Sequence, residues 1–173
     1  AAWLRGPEPP EALARLDLPV DVVDPPPEFA PLLEAVRLIN DYEGARTHRL
    51  LWERHGAAIG ERLAEMVERG LAFPEERYRA ALECVTIGKR KMTDLFRAYP
   101  VVLTPAAPGP PPQGLGSTGD SRMNAPWTGL GVPAITVPLP GTALPLGLQL
   151  TAAAGEDDLL LAAAVEVERC WAR

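Results

Sequence analysis

The sequence predicts an α/β protein: a layered mixed sheet flanked by helices. Three observations carry that prediction. Helical apolar periodicity fills much of the first part of the chain, short apolar runs bounded by proline and glycine follow it, and the chain closes on another helical pattern. The runs Val101–Leu103 and Ala134–Val137 are apolar on both faces, which calls for cover on two sides.

The elements follow in order. Prolines at 7, 9 and 10 open a helix carrying Leu13 and Leu16, and Val20–Val23 reads as a short strand. The triplet Pro25–Pro27 ends it, because proline cannot donate to a ladder. Pro31 suits the first turn of a helix whose apolar positions include Leu32, Val36, Leu38 and Ile39, continuing through Tyr42, Ala45, Leu50 and Trp52 to Gly56. A second helix runs from Ala57 to Arg69, burying Ile59, Leu63, Met66 and Val67, with Gly70 as its C′ glycine. Pro74 opens a third, with Tyr78, Leu82, Val85, Met92, Leu95 and Phe96 on its apolar side, ending before Pro100.

Composition changes after residue 98: 14 of the 17 basic residues precede it. The strand Val101–Leu103 enters a stiff proline-rich connector through Pro112. A glycine loop, a short segment Met123–Leu130, strands Ala134–Pro138 and Pro145–Thr151, and a helix Glu156–Trp171 complete the chain. Residues 1–173 form one partial domain in this reading, mainly helical over 1–98 and strands, glycine loop and terminal helix over 99–173. Four short strands make a narrow sheet, the first sign that part of the sheet lies elsewhere.

With 23 acidic against 17 basic residues, the net charge of −6 argues against nucleic acid or an anionic membrane surface as partner. No apolar run reaches the roughly 18 residues a membrane span needs. The first residues have neither the charged start nor the apolar stretch of a signal peptide, and no initiator Met, as expected of a processed or excised piece. Cys84 and Cys170 stand far apart without a CxxC, which favours free thiols in a reducing cytoplasm over a disulfide or zinc site. His48 and His55 share a helix face without a paired carboxylate or thiolate, and no metal site is expected.

The most informative stretch is 99–151. It contains Val101-Val102-Leu103-Thr104-Pro105-Ala106-Ala107-Pro108-Gly109, Ser117-Thr118-Gly119-Asp120 and Asn124-Ala125-Pro126-Trp127-Thr128. Gly131-Val132-Pro133-Ala134-Ile135-Thr136-Val137-Pro138 and Leu144-Pro145-Leu146-Gly147-Leu148-Gln149-Leu150 follow. In this order and spacing they resemble the C-terminal part of the amidase signature family. Glu43-Gly44-Ala45 with His48, Glu68-Arg69-Gly70 and Tyr78-Arg79-Ala80-Ala81 resemble its helical region more loosely.

The resemblance implies hydrolysis of a carboxamide C–N bond through an acyl-enzyme, with no metal or cofactor. Family members use a Ser nucleophile, a bridging Ser and a Lys base framed by a Gly-Ser-rich stretch, all upstream of the part matched here. This chain has no serine before Ser117, and its only lysines, Lys89 and Lys91, fall in a segment that does not match the region bearing the family's lysine. No catalytic residue is carried over. The chain is expected to be roughly the C-terminal two-fifths of an amidase, inactive alone, partnered by an N-terminal catalytic segment or by itself. A naturally short binding or assembly module derived from the same fold is the alternative.

The resemblance also implies that the loop Ser117–Gly131 lines the substrate pocket, placing Thr118, Ser121, Asn124, Ala125, Trp127 and Thr128 near the acyl or leaving group of a small-molecule amide. Hydroxyl and amide side chains suit a neutral amide, and Trp127 could exclude water. The plain reading makes Trp127 a core residue and Thr118-Gly119-Asp120 a turn. Pro105-Ala106-Ala107-Pro108 reads as a connector, and Lys89-Arg90-Lys91 as a solvated face.

Overall fold

The structure, a computed structural model, describes residues 1–5, 11–17 and 19–172. Ten elements follow in order: β1 (Ala2–Leu4), β2 (Asp21–Val23), α1 (Leu32–His55), α2 (Glu61–Ala72), α3 (Glu75–Ala98), β3 (Val102–Pro105), α4 (Ala125–Leu130), β4 (Ala134–Pro138), β5 (Gly147–Thr151) and α5 (Asp157–Ala172). The helix expected near the N-terminus is a 3-10 turn, Glu11–Arg15, and the prolines expected to open it lie outside the described residues. No helix among the described residues is long and apolar enough to cross a membrane.

The strands form one mixed sheet in the order β2-β1-β3-β5-β4. β1 lies parallel to both β2 and β3, with Trp3 opposite Val22 and Leu103. β5 runs antiparallel to β3 and β4, pairing Leu150 with Leu103 on one side and Ile135 on the other. The sheet is therefore one strand wider than predicted. β1 escaped the sequence reading because its three residues show no alternation and its partner β3 lies about a hundred residues away.

Side chains alternate across the strands, so the sheet separates two cores. On one face Trp3, Leu103, Leu148 and Leu150 meet Leu160, Ala164 and Val167 of α5, joined by Leu13 and Leu16. On the other, Leu4 and Val102 meet Leu32 and Val36 of α1, Val85, Met92 and Phe96 of α3, and Trp127 of α4. β3 has the expected cover on both faces. β4 does not: Val137 is buried on the α5 side, whereas Ala134 and Thr136 are exposed on the other.

Several helical expectations change. The helix expected from Ala57 starts at Glu61, with Gly56–Ile59 a separate 3-10 turn, and Leu82 of α3 is exposed. Leu50 is 78% exposed, because the buried stripe of α1 ends at Ala45 and the helix runs on beyond it. Gly70 is not a C′ residue; α2 continues to Ala72, and Gly70 sits buried where α2 crosses α1. A Cβ there would lie 1.9 Å from the Asp41 carbonyl oxygen and 2.5 Å from the Ala45 Cβ. Local sequence cannot distinguish a glycine that ends a helix from one that admits a second helix.

Candidate active site

The candidate site forms where β3 ends and α4 begins. From Ala106 the chain runs through the exposed proline-rich segment and the glycine loop to a 3-10 turn, Ser121–Met123, which leads into α4. Two side-chain amides strap this excursion to the sheet. Gln149, 2% exposed on β5, donates through Nε2 to Thr104 Oγ1 at 3.1 Å and to the Met123 carbonyl at 3.0 Å. Asn124 donates through Nδ2 to the Ala106 carbonyl at 3.2 Å. A buried amide with satisfied donors costs little, whereas a missing partner costs the full desolvation penalty. The buried Gln149 strap therefore holds the loop's base at a set distance from the sheet, and the exposed Asn124 bond adds a weaker second tie.

Asp120 organises the turn. Its carboxylate accepts from the Arg122 backbone N–H at 2.8 Å and from Arg122 Nε at 2.8 Å, with Arg37 Nη2 of α1 at 3.5 Å. The side-chain hydrogen bond from Arg122, then its backbone N–H, hold the Asp120 carboxyl below the ordinary aspartate range. Arg62 of α2 donates to the Gly116 carbonyl and tethers the glycine loop from the helical side.

Between the proline-rich segment and this loop lies an open concavity of about 950 Å³, walled by residues 107–112, the segment Ser117–Ser121, Asn124, Pro145 and Arg37. Thr118, Ser121 and Asn124 are among its lining residues; Ala125, Trp127 and Thr128 are not. Trp127 belongs to the core, 2% exposed, with ring centroids 5.0 Å from Phe29 and 6.5 Å from Phe96. Ala125 packs half-buried against the same core, and the exposed Thr128 donates its hydroxyl to the Asn124 carbonyl at 3.3 Å. α4 is short and lies tightly on α1: a Cβ on Gly129 would stand 2.2 Å from Val36 Cγ2. That contact turns the Trp127 face inward.

Sequence reasoning missed Arg37 and Asp120 as parts of this site. Asp120 carried a readable signal, an Asp just before a turn whose carboxylate can cap the following N–H groups. Arg37 carried none, being distant in sequence and brought in by α1. Ser117 Oγ accepts from the Gly119 N–H at 3.0 Å, and neither serine is hydrogen-bonded to a basic side chain among the described residues.

No family model matches the chain. The putative amidase AmiA2 of Mycobacterium tuberculosis, like that of Mycobacterium bovis, is 31% identical over 143 residues, covering 72% of this chain but only 30% of the relative. Among solved structures, an amidase superposes with a TM-score of 0.81 at 28% identity, covering 92% of this chain and 39% of its own. A protein from a vestigial complex connected with the origins of an s-triazine catabolic enzyme gives 0.79 at 25%, covering 97% and 42%. A bacterial aryl acylamidase of the amidase signature family shares the fold, at 0.72, 16% identity, 98% and 43% coverage. The chain therefore has the α/β fold of the amidase-signature enzymes and amidase relatives in sequence. It spans about a third of the length of the curated relatives and about two-fifths of these solved ones.

Proposed function

We propose that this chain supplies the scaffold and part of the substrate pocket of a hydrolase that cleaves a carboxamide C–N bond through an acyl-enzyme. The observation that carries the reading is the strapped loop. Gln149 and Asn124 fix its base, and the uncharged hydrogen-bonding groups of Thr118, Ser121 and Asn124 line an open concavity beside it. Such groups suit a neutral amide, and their fixed base orients them before substrate arrives. The kinship with AmiA2 and the solved amidase supports the same reaction.

In this reading the nucleophile and its base come from a catalytic segment other than these 173 residues, and the isolated chain is inactive. The exposed face of Ala134 and Thr136 on the edge strand β4 supports a surface that such a segment, or a second copy, would cover. The reaction needs no metal or cofactor from this chain.

The test joins the chain to the catalytic N-terminal segment of a related amidase and measures hydrolysis of aliphatic and aryl amides. No turnover by the chain alone and turnover by the joined protein are expected. Thr118→Val and Asn124→Ala should shift the ratio of kcat/KM between amides. Turnover by the chain alone, abolished by Ser121→Ala, would overturn the reading and move the nucleophile into the loop.

A further inference from the structure

A second concavity, of about 690 Å³, lies on the helical side between α1 and the corner where α2 meets α3. Its size is that of a small-molecule site. Leu38 of α1, Phe73 at the corner and Ala81 of α3 give it apolar wall. Three arginines and two carboxylates also line it, and their pairing decides what the groove can hold.

Arg69 is committed to Asp41 in a two-pronged contact, Nε to Oδ2 at 3.0 Å and Nη2 to Oδ1 at 3.3 Å. Arg37 is committed to Glu34 at 3.0 Å and to Asp120, outside the groove, at 3.5 Å. Arg77 differs. Its guanidinium stands over the Phe73 ring, 5.1 Å from the centroid, and makes no ion pair or side-chain hydrogen bond among the described residues. The ring holds a planar five-donor group at the rim with its donors unspent. Three arginines against Glu34 and Asp41 leave the lining with one net positive charge.

We propose that this groove binds a small monocarboxylic acid with an apolar body, its carboxylate on Arg77 and its hydrocarbon along Leu38, Phe73 and Ala81. One uncommitted cation matches one carboxylate. A phosphate dianion would need a second free cation, and Arg37 and Arg69 are already paired. A neutral amide would leave the guanidinium without an ionic partner. The proposal does not depend on the amidase reading, because the groove and the loop site share only Arg37.

Cys84, half-buried in the lining, provides a reporter. The test uses the full chain carrying Cys170→Ser, so that thiol alkylation reads Cys84 alone, with 4-phenylbutyrate as probe and 4-phenylbutyramide and inorganic phosphate as comparisons. Calorimetry should show saturable binding of phenylbutyrate, tighter than either comparison, and the same titration should slow Cys84 alkylation to a limiting rate. Arg77→Ala should weaken binding about tenfold or more, the scale of a lost charge-assisted hydrogen bond. Arg77→Lys should weaken it less. Arg77 is exposed and makes no ion pair among the described residues, so an unchanged melting temperature certifies the fold of both variants. Equal affinity for the amide or for phosphate would overturn the proposal. So would an Arg77→Ala variant that binds like its parent, or binding that leaves Cys84 unprotected.

Discussion

Replacing Trp127 by alanine separates a core role from a pocket role. The indole is 2% exposed and lies between Phe29 and Phe96 at centroid distances of 5.0 and 6.5 Å. Leu130 of the same short helix and Val85, Met92 and Val102 belong to the same core. Truncation removes the transfer free energy of a large aromatic and leaves a cavity that the sheet and two long helices can only partly close. Such changes cost about 3–5 kcal/mol. At about 2–4 °C per kcal/mol for a chain of this size, Tm should fall by about 6–20 °C. Urea unfolding followed by far-UV circular dichroism, at unchanged m-value, gives the free energy independently. Trp127→Phe should recover much of the loss because it keeps a ring against Phe29. A cost below about 1 kcal/mol would refute the packing argument. It would point instead to an indole that the packing against Phe29 and Phe96 does not hold.

The remaining predictions rest on equally local geometry. Gly70→Ala places a methyl 1.9 Å from the Asp41 carbonyl oxygen, so α2 must back away from α1. A loss of about 1–3 kcal/mol in chemical denaturation is expected, and a neutral or stabilising result would contradict the close crossing. Gln149→Leu strips the Met123 carbonyl and the Thr104 hydroxyl of their donor and should cost about 1–3 kcal/mol. In hydrogen exchange it should also loosen the turn 121–123 more than β5. Asp120 should titrate below the ordinary value of about 3.9, because Arg122 stabilises its charged form. The sign follows from linkage: its contribution is complete above the unfolded carboxylate range and disappears as pH falls through the lowered value. Following the Arg122 amide resonance through acid titration checks this, and a midpoint at or above 3.9 would contradict it.

Much of the architecture was legible because its signals are local. Pro31 and Gly56 bracket α1, Pro74 and Pro100 bracket α3, and the observed bounds follow them closely. β4 matches its predicted range, and the ordered motifs of residues 99–151 pointed to the amidase-signature fold that the superpositions show. In the candidate site, Thr118, Ser121 and Asn124 were named because the loop resembles that of the amidase signature family, and the structure shows them lining one concavity.

What the sequence determined by itself was the order and kind of most elements, since periodicity, proline and glycine act within a few residues. The tertiary structure alone decided the rest. It recruited Ala2–Leu4 as a strand, because pairing energy comes from β2 and β3 rather than from three residues. It made Gly70 a point of helix contact instead of a helix end. It sent Trp127 into the core, because Gly129 lets α4 lie against Val36, and it brought Arg37 to the loop across more than eighty residues. Each of these depends on which surfaces meet, and a residue's neighbours along the chain carry no information about that.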